Sequence, residues 1–361
     1  MTRSTLGAAT RIRALTDLSL PELEAALDAL GQPAYRARQI RRAVLQRLVI
    51  GFEELRELPA AVRAELSNRY RLTTAETAME QVSADGSTRK ALLRLADGEL
   101  IEAVLMRYPA TPQGRRRNTV CVSTQAGCAM GCTFCATGQQ GFRRNLTAGE
   151  IVEQVLHFAR WLRNDDDRVT NVVFMGMGEP LANYSATLRA VETLNAADGF
   201  GLGARHMTIS TVGLVHGIRR LAREPLQVGL ALSLHTPDDE LRRRLIPTAR
   251  QPISDILAAC NEYASETGRR YSIEYALIEG TNDSTDLARD LGRLLSGMPC
   301  HVNLIPVNPT SNAATRRPAR GRVLAFQQEL LNMGINCTIR VEKGVDIMAG
   351  CGQLRGTAAG A

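Results

Sequence analysis

The sequence predicts an α/β protein: a parallel (βα)6 barrel, open or closed, preceded by a small helical module and a β-hairpin. Three observations lead there. From Thr119 onward, short apolar strand-like runs alternate with helical stretches, six times over. Before residue 75 only helical periodicity is present. Chemically special residues, Gly176 to Pro180, Ser210 with Thr211, Ser233 to His235 and Asn308, fall at or just past the ends of the expected strands. A parallel barrel gathers its functional groups at those ends.

The elements follow in order. A chain of 361 residues with 44% hydrophobic content supports a large domain with a smaller one beside it. No apolar run of about 18 residues occurs, so no membrane span is expected. The first residues lack the apolar core of a signal peptide; they carry Arg and Thr without acid, as transit peptides do, and read as a frayed tail. One helix starts at Leu20-Pro21-Glu22 with Ser19 as its cap. A second, basic and amphipathic, covers 35–48 with Ile40, Val44 and Leu48 on one face. A third covers 52–70, broken at Pro59. Residues 90–95 and 100–106, joined by Asp97-Gly98, read as the hairpin, and 109–117 as a Pro-, Gly- and Arg-rich loop. The six expected strands cover 119–123, 171–174, 206–210, 228–233, 271–277 and 301–305, with helices such as 148–162 and 187–194 between them. The expected division is 1–75 a helical accessory domain, 76–117 a hairpin linker, 118–350 the barrel, and 351–361 a terminal segment.

Eight cysteines, at 121, 128, 132, 135, 260, 300, 337 and 351, are few for a disulfide framework of this length. Their clustering points to metal in a reducing cytoplasm. A net charge of +7 suits an anionic partner, and the arginines at 115–117, 143–144 and 242–244 either meet phosphates or decorate solvated faces. Aromatic content of 4% argues against a single-strand surface built on stacked bases.

The stretch CAMGCTFC places Cys128, Cys132 and Cys135 within eight residues, followed by the Gly-bearing run ATGQQGF. A structural zinc site needs four ligands, so zinc would require Cys121 or a distant thiol. Thiolate-only ligation equally suits an iron–sulfur cluster, and a [4Fe–4S] cluster on three thiolates keeps one iron open. CxxxCxxC resembles the signature of the radical S-adenosylmethionine (SAM) superfamily, in which the open iron chelates the amino and carboxylate groups of SAM. The wider stretches CVSTQAGCAMGCTFCATGQQGF, VVFMGMGEPL, ISTVG, ALSLH, NLIPVNP and DIMAGCGQL are similar to those of the adenine-C2 RNA methyltransferases of that superfamily. The resemblance spans nearly the whole chain, including YRARQI of the helical module.

That resemblance implies a radical SAM partial barrel carrying a [4Fe–4S] cluster on Cys128, Cys132 and Cys135 and using two SAM molecules per turnover. C2 of adenine lies between two ring nitrogens and is too electron-poor to attack a methyl sulfonium. The family's solution first methylates a cysteine, in the position of Cys351. A 5'-deoxyadenosyl radical takes hydrogen from that S-methyl group, and the methylene radical adds to C2. A second cysteine, in the position of Cys121, then forms a transient disulfide that releases the product. Glu102 stands where the family has its proton acceptor. Gly178, Glu179, Ser210, Ser233, Leu234, His235 and Asn308 stand where it contacts SAM. The implied partners are 23S ribosomal RNA and transfer RNA, with a flavodoxin or ferredoxin as electron donor, for a cytoplasmic monomer without membrane contact. The base is expected to leave its stack to react. A sister activity at C8 of the same adenosine shares most of these motifs. A non-catalytic RNA binder with structural zinc is the reading from another class. Cys260, Cys300 and Cys337 match no motif and read as small buried hydrophobes, and Trp161, Met175 and Met177 as packing.

Overall fold

The computed structural model describes residues 12–110, 116–308, 315–340 and 343–356. The tail expected at the N-terminus, Arg115, and residues 357–361 of the terminal segment lie outside the described residues.

One ten-stranded sheet forms the centre. Its order is Cys337–Ile339, Cys300–Pro306, Tyr271–Leu277, Gly229–Ser233, Met207–Thr211, Asn171–Phe174, Arg117–Cys121, Leu100–Tyr108, Thr88–Leu95 and Ala75–Val82. The first seven run parallel and the remaining three antiparallel. The two outermost strands do not pair with each other, so the barrel is open. All six expected barrel strands are present. Their residues Val172, Phe174, Ile209, Leu232, Ile273, Tyr275, Val302 and Leu304 are buried in one continuous core. Several alternate buried with part-buried residues, as in Met207–Thr211 and Cys300–Pro306, so a period of two makes them legible.

Two strands go beyond the sequence expectation. Cys337–Ile339 is three residues long, too short to show any alternation. Ala75–Val82 is an edge strand with a largely polar, exposed surface and no buried residue, so it carries no hydrophobic signal. The expected hairpin is present as Thr88–Leu95 and Leu100–Tyr108. It stands in the same sheet as the barrel, with Val104 opposite Cys121.

The helical module forms as read. Leu20–Asp28 begins with a capping box in which Ser19 and Glu22 satisfy each other's backbone N–H groups. Tyr35–Leu45 ends earlier than its pattern suggests, and Leu48 beyond it has a positive φ of 60°. After Pro59 the chain continues as Ala60–Arg69. The module docks on the barrel helix Ala148–Asn164. Asp17 Oδ1 accepts from Gly149 N at 2.7 Å, and the carbonyls of Arg47 and Leu48 accept from Arg163 and Arg160. A Cβ at Gly149 would lie 2.6 Å from Thr16 Oγ1, so only glycine permits this approach. Among the described residues no helix is long and apolar enough to cross a membrane.

Ala148–Asn164 therefore carries load from two sides, and its first turn is closed by a second capping box between Thr147 and Glu150. Thr147→Ala is expected to lower the unfolding free energy by about 1 kcal/mol. This appears as a lower urea midpoint at unchanged slope; an unchanged midpoint would show that the other bonds of Glu150 suffice to start the helix.

Candidate active site

The thiol-bearing loop is closed by a small antiparallel pair, Gln125–Gly127 with Phe142–Asn145. Cys128 N donates to Gly141 O at 2.9 Å. Gly127 has φ +73°, and a Cβ there would sit 2.0 Å from Gly141 O, so the closure requires glycine. Inside the loop Gly138 presses on the Cys132 backbone, with a Cβ position only 2.8 Å from its nitrogen. Cys128, Cys132 and Cys135 all face one cleft of about 990 Å³ at the C-terminal ends of the parallel strands. Burial pushes the Cys128 thiol up to about 11 and raises Cys132 and Cys135 as well. Only a cation among them would favour three thiolates there.

The opposite walls of the cleft come from successive strand ends. Gly178 (φ +104°) lets the chain pass Gln125, whose Oε1 accepts from Glu179 N at 2.9 Å. Glu179 is buried, and its carboxylate accepts from Leu181 N (3.0 Å) and Val212 N (2.8 Å). Burial nevertheless raises its pKa to about 7. Ser210 and Ser233, on neighbouring strands, bring their hydroxyls within 3.3 Å. His235 sits in the left-handed region (φ 66°), its Nδ1 accepting from Ala276 N at 2.9 Å and its ring edge-on to Phe134 at 4.8 Å. Burial and the nearby Arg242 hold its pKa down to about 3, so the imidazole stays neutral with its proton on Nε2. Asn308 donates through Nδ2 to Cys351 O at 3.3 Å, while its buried Oδ1 has no partner.

A second cavity of about 820 Å³ shares Cys135, Asn308, Arg340 and Cys351 with the first. Cys121 and Cys351 both line it, although 230 positions (351 − 121) separate them in the chain. The segment bearing Cys351 is stapled to the thiol loop. Ala136 N donates to Gly352 O at 2.8 Å and Thr137 Oγ1 to Leu354 O at 2.6 Å. Burial, with Cys351 adding to it and Arg340 opposing, pushes the Cys121 thiol up to about 12.

Not every expected residue reaches these cavities. Leu234 is fully buried and its side chain lines neither; its N–H donates to Glu274 O. Glu102 is also buried and lines neither. Its Oε1 pairs with Lys90 Nζ at 2.9 Å and its Oε2 accepts from the backbone N–H groups of Arg355 and Gly356. Met175, expected as packing, lines both cavities, whereas Met177 is core. Cys260, Cys300 and Cys337 are buried as expected. Trp161 lies beneath the guanidinium of Arg89, at 4.2 Å.

The arginine patches divide. Arg144 clasps Glu150 and Asp97, and Arg242 is buried, so neither is a phosphate contact; both serve the fold because an acid or a carbonyl faces them. Arg116, Arg117, Arg143, Arg243 and Arg244 remain exposed. Sequence reading missed Arg340 and Glu274, which meet at 3.4 Å on the cavity wall. Glu274 stands on an expected strand, and that position was the available signal; Arg340 follows Cys337–Ile339, which offered none.

The donor set fits an iron–sulfur cluster with SAM. Three thiols share one cleft, Asn308 offers a free buried acceptor, and Glu179 offers a carboxylate. Among the described residues no three His, Cys, Asp or Glu side chains converge to hold a single ion. A four-iron cluster binds each thiolate through a different iron and asks for no such convergence.

An open parallel barrel with three thiols on the first strand-to-helix loop defines a radical SAM protein, and residues 122–291 match the Radical SAM superfamily. The chain is 50% identical to ribosomal RNA large subunit methyltransferase N of Nitrosopumilus maritimus (94% of this chain, 99% of that one). It is 49% identical to the probable dual-specificity RNA methyltransferase RlmN of Chloroflexus aurantiacus (95% and 93%). A crystal structure of a radical SAM methyltransferase from Sphaerobacter thermophilus superposes with a TM-score of 0.92 at 51% identity, covering 96% of this chain and all of that one. The chain belongs to the RlmN family of radical SAM RNA methyltransferases.

Glu179 generates a pH prediction. Its raised pKa leaves it largely protonated below about pH 7, and an iron-bound amino group donates its N–H best to the ionised form. SAM affinity of the reconstituted protein is therefore expected to fall as the pH drops through about 7. Glu179→Gln is expected to bind SAM weakly and without that dependence; a pH-dependent Glu179→Gln would remove the assignment.

Proposed function

We propose that this protein methylates C2 of adenosine in 23S ribosomal RNA and in transfer RNA, through a methylated Cys351 and a transient Cys121–Cys351 disulfide. One observation carries the reading: Cys351 lines both the cleft of the three thiols and the cavity that holds Cys121. Two distant thiols brought to one reaction space serve no packing purpose. The names of the relatives support the RNA substrates, and the exposed arginines suit an RNA backbone.

When bound, the cluster and two SAM molecules supply the methyl group and the radical that removes hydrogen from it. Glu179, Ser210, Ser233, His235 and Asn308 bind and orient SAM, with Gly178 admitting it to the strand ends. Leu234 contributes through its backbone, since its side chain is core. Cys351 accepts the methyl group as a thiolate and carries it as a thioether. That thioether has no charge, so the like-charge part of the penalty on Cys121 disappears once Cys351 is alkylated. After its methylene carbon has bonded to C2, the adduct gives up its C2 proton and one electron, which the oxidised cluster would accept. Cys121 then attacks Sγ of Cys351 as a thiolate, the carbon–sulfur pair passes to the methylene carbon, which takes a proton to become methyl, and a disulfide remains for a reductant to open. Glu102 accepts the C2 proton in this scheme. Its present bonds to Arg355 and Gly356 couple that task to the segment that carries Cys351. The setting is the cytoplasm, the donor a flavodoxin or ferredoxin, and the protein a monomer.

Mass spectrometry of the modified RNA tests the regiochemistry, with 2-methyladenosine expected; 8-methyladenosine would overturn the proposal. Cys121→Ala is expected to stall with RNA bound covalently at Cys351, visible as a slowed band on denaturing gels. Free methylated product from that variant would refute the resolving role. Glu102→Gln loses its charge toward Lys90 while staying isosteric, and is expected to cut turnover by at least tenfold at unchanged SAM affinity. Wild-type turnover would remove Glu102 from the mechanism.

A further inference from the structure

Arg242 is the only arginine in the buried class among the described residues, at 1% exposure. A buried charge demands a partner. Lys90, the other buried cation, has one in Glu102 at 2.9 Å. Arg242 forms no ion pair with any carboxylate among the described residues. Its Nη2 donates to the carbonyl of Val212 and, at 3.5 Å, to that of Ser233, while its Nε has no partner at all. Burial pulls the pKa of the guanidinium down, opposed in part by Cys132 and then by Asp239. Asp239 is already engaged, its Oδ1 accepting from Ile253 N at 2.9 Å.

The surrounding geometry places Arg242 behind the thiol loop. Its helix, Asp239–Leu245, is docked there by Thr133 N, which donates to Leu245 O at 3.0 Å. Leu241 and Leu245 pack with Met130, Cys132 and Phe134. Just beyond the helix, Thr248 Oγ1 donates to Met130 O at 2.9 Å. Arg242 does not line the cleft with Glu179 and Asn308; it lines a separate recess with Met130, Val212 and Thr248. Its charge is therefore aimed at the loop from the rear, not at a ligand in the cleft.

We propose that Arg242 is the counter-charge of the iron–sulfur centre, a positioning residue that stabilises the centre's extra negative charge on reduction. A [4Fe–4S] core on three thiolates is anionic and gains a further negative charge when it takes an electron. A fixed cation in a low-dielectric setting favours the reduced form. The same guanidinium fastens two strand ends of the cleft, so charge and geometry are set by one residue. This inference rests on the reading of Cys128, Cys132 and Cys135 as a cluster site.

The test uses full-length protein reconstituted anaerobically with iron and sulfide, as wild type, Arg242→Gln and Arg242→Met. Circular dichroism of the apo proteins, iron per chain, an EPR-monitored redox titration without SAM, and SAM binding are read in parallel. Arg242→Gln keeps an amide donor for the carbonyls but loses the charge. At a fixed potential near the wild-type midpoint, its reduced-to-oxidised ratio is expected to fall about tenfold, equal to a shift of about 59 mV for a one-electron couple. Loss of iron from a folded Arg242→Gln also supports the proposal. A full iron complement at the wild-type potential overturns it. Weakened SAM binding at an unchanged potential also overturns it and reassigns the charge to the SAM carboxylate. Failure of both apo variants to fold assigns Arg242 to the fold alone. Wild-type protein that takes up no iron fails the cluster reading itself, an outcome distinct from the others.

Discussion

Everything at the barrel mouth depends on the closure of the loop between Gly127 and Gly141. The Gly127 backbone passes so close to Gly141 O that no side chain fits between them, and Cys128 N completes the closure. With both ends tied, the three thiols face one cleft, and the loop offers its outer backbone to two other parts of the chain. Thr133 receives the helix of Arg242, and Ala136 with Thr137 receives the terminal segment. The loop is therefore a hub, and the site would lose its thiols, its rear charge and Cys351 together if it opened.

A second constraint is the handling of buried polar groups. Glu179 is fully enclosed, yet each of its carboxylate oxygens meets a backbone N–H from a different element. Gln125, Asn183 and Gln154 do similar service. Asn183 Nδ2 donates to the carbonyls of Thr124 and Leu146, and Gln154 bonds both the N–H and the carbonyl of Ser123. Backbone at strand ends cannot pair within the sheet, so side-chain amides take over. The rigidity of the cleft follows from those amides, while Asn308 Oδ1, on the cleft wall, is left buried without a partner.

The positive charge is largely consumed by the fold. Arg144 holds the hairpin turn at Asp97 against the start of the Ala148–Asn164 helix through Glu150. Arg160 pairs with the buried Glu153, and Arg107 reaches Asp165 and Asp167. Each such pair cancels a cation against an anion, so the net charge of +7 is carried by groups outside those pairs. Exposed arginines such as Arg116, Arg219 and Arg293 also face acids, and such surface ion pairs add little stability each.

Much was legible without coordinates. The six barrel strands, the helical module, the thiol triad and most of the cleft residues follow from apolar periodicity, caps and motif spacing, because those signals are local. Edge strand Ala75–Val82 and strand Cys337–Ile339 were not, since one has no buried face and the other no length. Arg340 and Glu274 escaped for another reason: a lone charge in a strand looks the same whether it faces solvent or a cavity. Glu102 and Leu234 show a complementary limit, since their motif positions say nothing of which way the side chain turns. The sequence by itself determined the groups available, namely three thiols in one short loop and two more far from it in the chain. Only the tertiary structure decided that Cys121 and Cys351 share a cavity, that Arg242 lies behind Cys132, and that Glu102 grips the terminal segment. Those are meetings of residues tens to hundreds of positions apart, fixed by strand order and packing rather than by any local pattern.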